Sequence, residues 1–200
     1  MAARRNKGLR ARKRQKMRTD IYATARRLFI ERGVGQTTVD DIADELEISP
    51  VTFFNYFRSK DAVLVEMAFE MLDCFDKTLE PPPGRRRMGL KRFVQIMGDR
   101  FVDAPGYPPH VIADVLRVSL FGSDAARLSE RFRGILLRVA EQGQASGTIR
   151  TDLPPERVAR VAAHLLIGEL LDWLGDPRRD SDSRLREVLG RITEFARVRP

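Results

Sequence analysis

Apolar residues recur along this chain at helical spacing, and the period is broken at a few sharp points. Ile21, Tyr22, Ala25, Leu28 and Phe29 form one stripe and predict a helix over 19–32, closed by Gly33. Val39, Ile42, Ala43 and Leu46 fall at i, i+3, i+4 and i+7, one face of a helix of about two turns. Thr38 stands before them as an N-cap, with Asp41 three residues on as a short-armed capping box. Glu47-Ile48 ends that helix, and Ser49-Pro50 opens another, with proline at the first helical position where its missing N–H costs nothing. Phe53 and Phe57, four apart, point into a small core. Two short helices joined by a tight turn predict a helix-turn-helix over 38–57, whose second helix is the element that enters a DNA major groove.

The rest of the chain reads as helices as well. A helix from Lys60 to about Leu79 carries Leu64, Met67, Ala68, Met71, Leu72 and Phe75, and Pro81-Pro82-Pro83-Gly84 stops it. Arg85-Arg86-Arg87 follows as a solvated loop. Leu90, Phe93, Val94, Met97 and Phe101 make a further apolar face. Helices beginning near 110, 124, 155 and 182 complete an all-α chain, broken at Gly122, at Gly143 to Gly147, and at Asp176-Pro177. Pro155 to Trp173 is apolar nearly all round, so it must be covered on more than one side.

Charge changes this picture at one place. The net charge is +8 and the pI near 10.2. Residues 1–16 hold eight cations and no acid, which leaves 28 cations against 28 acids elsewhere. With few apolar residues and no periodicity, this segment is expected to be a disordered basic arm. It would track phosphates or enter the minor groove; a solubilising tail is the plainer reading. Residues 17–62 are slightly acidic overall, so the arm supplies much of any long-range attraction to DNA.

On the second helix of the motif, Thr52, Asn55 and Tyr56 face outward, with Val51 and Phe54 at the edge. Thr and Asn suit base edges or phosphates, and Val or Phe suits a thymine methyl. Lys60 at a helix N-terminus opposes the helix dipole unless an external phosphate sits there. The whole segment, Thr37-Thr38-Val39-Asp40-Asp41-Ile42-Ala43, then Ile48-Ser49 and Thr52 through Leu64, resembles the N-terminal signature of TetR-family (tetracycline-repressor-like) regulators. The likeness covers about residues 17–75, with Phe54 where tyrosine is frequent and Val51 where a small residue or proline is frequent. Ala145 to Trp173 is similar to the family's C-terminal half.

The resemblance implies a three-helix DNA-binding head over 17–75 and a helical effector-binding and dimerisation domain of about six helices over 76–200. It implies a roughly palindromic double-stranded operator, a homodimer and a small, largely apolar effector that releases a repressor. The candidate DNA contacts are Thr37, Thr38, Ser49, Pro50, Val51, Thr52, Phe54, Asn55, Tyr56 and Lys60. A candidate effector pocket takes Met71, Phe75, Phe93, Met97, Phe101, Val115 and Leu136; core packing accounts for these residues equally well. The expected dimer interface takes Val158, Leu165, Leu166, Leu170, Trp173, Leu185, Leu189 and Ile192.

Enzyme chemistry is not expected. His110 and His164 lack metal-ligand spacing, and no phosphate loop or dinucleotide fingerprint is present. No metal or cofactor is anticipated. His164 is read as a core residue and Cys74 as a small buried apolar one. No run approaches the roughly 18 apolar residues of a membrane span, Arg4-Arg5 lacks a following apolar stretch, and one cysteine fits a reducing compartment, so a cytoplasmic protein is expected. The alternative is a helical interaction module whose head no longer reads DNA and whose arm binds acidic partners.

Overall fold

The computed structural model describes residues 2–79, 107–175 and 181–197. These are helical and connecting segments, with no strand among the described residues. The helices are α1 (Ala2–Arg32), α2 (Val39–Glu45), α3 (Pro50–Phe54), α4 (Lys60–Leu79), α5 (Pro109–Phe121), α6 (Ala125–Ala145), α7 (Pro155–Gly175) and α8 (Ser181–Ala196). The expected faces at Phe93, Met97 and Phe101 and the loop at Arg85-Arg86-Arg87 lie outside the described residues.

The helix boundaries follow local chemistry. Thr38 and Asp41 form the reciprocal capping box at the start of α2. At its end, Ile48 N–H donates to the Ala43 carbonyl at 2.9 Å and Glu47 N–H to Asp44 at 3.1 Å, a Schellman closure. That closure needs a left-handed residue, and Glu47 supplies it at φ 52° where glycine is usual. Ser49 caps α3 through Thr52 N–H, with Pro50 just inside. Ser59 caps α4 through Ala62 N–H.

One boundary differs from expectation. α1 continues back through the arm to Ala2 rather than starting near residue 19. Ala, Arg, Lys, Leu and Gln are good helix formers, and no proline interrupts 2–16, so local propensity extends a helix that the core nucleates further on.

Two buried clusters organise the packing. The first joins Ile21, Leu28 and Phe29 of α1, Ile42 of α2, Phe53 and Phe57, Leu64 and Met67 of α4, and Val111, Val115 and Val118 of α5. The second joins Phe75 and Leu79 of α4, Ile135, Leu136 and Val139 of α6, Val158, Ala162 and Leu166 of α7, and Val188 and Ile192 of α8. α4 therefore runs through both and joins them in one continuous helix. Burying a Phe or Leu side chain contributes about 1.5–3 kcal/mol, so each end of α4 is firmly held.

Several expectations change here. Val158, Leu166 and Ile192 are no more than 4% exposed and belong to the second core, not to an outward face. α7 packs against α6 and α8 against α7, so these residues face the chain's own core, because a helix with this much apolar surface turns its most apolar stripe inward first. Leu136 is likewise sealed in that core. His164 is exposed, since it sits opposite the Val158–Ala162–Leu166 stripe.

Candidate nucleic-acid interface

The outer surface of the helix-turn-helix is built by α3. Its inward residues Phe53 and, just beyond its end, Phe57 are buried, with ring centroids 6.0 Å apart. That anchors the helix by one side and leaves the other bare. Val51 is 69% and Phe54 52% exposed, an unusual cost in water for two large apolar side chains on a five-residue helix. Ser49, Pro50 and Asn55 are exposed and Thr52 is half-buried, its hydroxyl 3.0 Å from the Ser49 hydroxyl. Tyr56, expected to face outward, is half-buried and packs against the head core.

Two residues at the motif's entrance are placed differently from the sequence reading. Thr37 is fully buried; its hydroxyl donates to the Gly33 carbonyl at 2.9 Å, so it holds the α1–α2 loop and presents no side chain to a ligand. Thr38 remains exposed at the mouth of α2, where its hydroxyl and N–H hold the Asp41 carboxyl below the usual carboxylate range. Lys60 does not reach into solvent alone. Its ammonium donates to the Val34 carbonyl at 2.7 Å and the Thr37 carbonyl at 2.6 Å, from the first turn of α4. The unfavourable dipole position is thus met by two carbonyls of the same chain, and one of the three ammonium donors is left over.

Polar contacts bind this head to the helices behind it. Tyr22 of α1 donates to Glu70 of α4, and Arg26 donates to the Tyr107 hydroxyl at 2.8 Å with its guanidinium over the Tyr107 ring. Burial first, then Glu70, pushes the Tyr22 phenol well above its ordinary value. Arg58 lies 3.7 Å from Asp124, and Asp61 3.7 Å from Arg117. These partners are separated by 48 to 81 positions in sequence, so spacing carried no signal for them.

A second feature lies between α4, α5, α6 and α7: a cavity of about 90 Å³. Met71, Phe75 and Val115 line it as expected, joined by Leu72, Leu116, Phe132, Ile167 and, polar among them, Ser119 and Ser129. Leu170, expected at a dimer interface, also faces this cavity. The Ser119 hydroxyl donates to the Val115 carbonyl at 2.7 Å, which leaves the wall almost wholly apolar. The side chains of Trp173, Leu185 and Leu189 lie outside the described residues. Among the described residues no cluster of His, Cys, Asp or Glu could hold a metal.

Comparison with known proteins matches residues 21–67 to the family described as "Bacterial regulatory proteins, tetR family". The chain is 30% identical over 149 residues to the transcriptional repressor KstR2 of Rhodococcus jostii, covering 72% of each chain. This chain belongs to the TetR family. It is also 29% identical over 194 residues to the transcriptional repressor DhaR of a Mycobacterium species, covering 88% of each. Among solved structures, the TetR-family repressor FadR of Thermus thermophilus, in complex with lauroyl-CoA, shares the fold with a TM-score of 0.71 and 23% identity, over 92% of this chain and 96% of that one.

As a TetR-family member the chain is a DNA-binding transcriptional regulator and not an enzyme. Its architecture is that of the family: a helix-turn-helix head on a helical body. No described helix is long and apolar enough to cross a membrane.

Proposed function

We propose that the chain is a homodimeric repressor that reads a roughly palindromic operator through α3 and leaves it when an apolar effector enters the cavity beside α4. The observation that carries the first half is the bare face of α3, where Val51, Phe54 and Asn55 stand in solvent while Phe53 and Phe57 lock the helix from behind. Val51 and Phe54 are suited to thymine methyls, Asn55 to an adenine edge, and Thr38 and Ser49 to phosphates. Thr37 is left out of this set because its side chain is buried, and Lys60, with two donors on loop carbonyls, keeps one for a phosphate. The division into an arm, a head to about residue 75 and a body beyond is part of the same proposal.

The dimer is supported by the outward side of α7 and α8. Leu171 is 42% exposed, and Gly168 of α7 and Gly190 of α8 stand mid-helix and exposed. Glycine there costs about 1 kcal/mol relative to alanine, a cost that close approach of a second copy's helix offsets. Two-fold symmetry then sets half-sites about 34–36 Å apart.

The effector reading rests on the cavity's polarity and on α4. An apolar molecule fits walls with only two serines. It releases DNA only if it binds one setting of α4 more tightly than the other. An acyl chain, as in the ligand of the Thermus protein, has the right chemistry. The alternative of a helical interaction module is not favoured, because the head matches the family over residues 21–67 and keeps Val51 and Phe54 exposed on α3.

Selection of bound sites from a random duplex library tests the proposal. A two-fold symmetric site is expected, and Asn55→Ala should relax one position of each half-site by roughly 1–3 kcal/mol. Recovery of no preferred sequence would refute the reading of α3.

A further inference from the structure

We infer that the N-terminal arm is a second DNA-binding element that works as a helix and presents one face, Arg10 and Arg14, to the duplex phosphates beside each half-site. This rests on the head binding DNA, and it specifies how the arm adds to that contact.

The stripe of α1 that faces the protein runs Met17, Ile21, Ala25, Leu28, with Ile21, Ala25 and Leu28 fully buried and Met17 packed against the same core. Followed back toward the N-terminus at the same spacing, the stripe becomes Arg14 and Arg10, both exposed. At 3.6 residues per turn these two lie within about 40° of the stripe's centre, whereas Arg12 lies about 175° and Lys16 about 135° away. The same face therefore changes from apolar, where the head covers it, to cationic, where the head has ended. The arm leaves the head near the end of α3: the Arg18 guanidinium sits 4.4 Å over the ring of Phe57, three residues past the last residue of that helix. With α3 in the major groove, the duplex flanking the half-site is the polyanion within this arm's reach.

Charge selects the occupant. Residues 8–16 are exposed throughout and carry Arg10, Arg12, Lys13, Arg14 and Lys16 with no acid; Lys16 alone pairs forward, with Asp20 at 2.9 Å. Like charges at i, i+3 and i, i+4, such as Arg10 with Lys13 and Arg14, repel along an isolated helix, and a polyanion reverses that. A membrane surface fits poorly, because Leu9 is the one large apolar side chain over 8–16 and gives no apolar face to bury in an interface. The fifteen residues 2–16 of the helix span about 22 Å, or roughly six base-pair steps along the duplex.

The test compares two full-length variants of equal charge. Arg10→Gln with Arg14→Gln removes the stripe-side pair; Arg12→Gln with Lys16→Gln removes the opposite pair. All four positions are exposed, so both variants keep the fold. Binding to a random-sequence duplex is measured at several salt concentrations, because phosphate contacts carry no sequence. The first variant should lower the slope of log K against log salt by about 1.8 per subunit, two contacts at about 0.9 each, and the second should leave it almost unchanged. Ala11→Pro, which keeps every charge but breaks the helix, should lose about half of that slope by detaching Arg10. Equal changes in the two charge variants, or a proline variant that binds like the parent, would show a flexible chain and overturn the helical face. No change in any variant would make the arm a passive tail. A parent chain that binds no duplex would overturn the reading of the head and this inference together.

Discussion

Removing the Lys60 ammonium separates two roles that point in opposite directions. In the structure it donates to two loop carbonyls at 2.6 and 2.7 Å, tying the α1–α2 connection to the first turn of α4. A hydrogen bond to a charged group contributes about 1.5–3 kcal/mol, and the half-buried setting favours the low end, since freed carbonyls are partly rehydrated. Lys60→Met, which keeps most of the stem but no donor, should therefore destabilise the fold by roughly 2–3 kcal/mol. At 2–4 °C per kcal/mol for a chain of this size, the melting midpoint should fall by roughly 4–12 °C. Because Thr37 and then Thr38 follow in that loop, the capping box of α2 should loosen with it. Thermal and urea unfolding followed by helix circular dichroism measures the loss; duplex binding over a salt series measures any phosphate contact made by the remaining donor. A variant within about 0.5 kcal/mol of the parent that nonetheless loses about 0.9 of salt slope would show that Lys60 turns outward to phosphate, and would refute the internal clamp.

Other perturbations follow from single observations. Leu171→Glu, on the exposed side of α7, should yield a folded monomer by light scattering; Leu166→Glu, inside the second core, should instead unfold the chain. A parent chain that is monomeric at all concentrations would remove the dimer. Glu47→Gly should raise stability by about 1 kcal/mol, because glycine takes the left-handed C′ position without the Cβ penalty; a loss of stability would mean that the Glu47 side chain holds the turn. Acid should weaken the α2 cap in a defined sense. Thr38 lowers the Asp41 pKa, so its contribution is complete above the ordinary 3.8 and is lost as pH falls through the lower folded value. Asp41→Asn should remove that acid-side slope, and an unchanged pH profile would count against the capping box.

The sequence determined what depends on neighbours in the chain. Thr38 with Asp41, and Ser49 with Pro50, identify helix starts because a cap reaches only two or three residues. Phe53 and Phe57 identify the buried side of α3 because four residues make about one turn. The same reasoning puts Asn55 outside, but it also puts Thr52 and Tyr56 there, which packing leaves half-buried, while Val51 and Phe54, expected at the edge, are exposed. Helices from Lys60, Pro109, Ala125, Pro155 and Ser181 were legible for the same reason.

Tertiary structure decided which of several apolar or polar choices each helix made. Periodicity shows that α7 is apolar on most sides, but only packing shows that Val158 and Leu166 serve the chain's own core, that Leu170 faces a cavity and that Leu171 is left outside. Likewise, Lys60 looks like a phosphate ligand in sequence because its carbonyl partners, 23 and 26 residues away, are brought to it only when α1 and α4 pack. Thr37 looks like its neighbour Thr38, yet one step along the backbone turns its hydroxyl inward to Gly33. Local rules assign where a helix begins and which face is apolar; what meets that face is set by contacts between residues far apart in the chain.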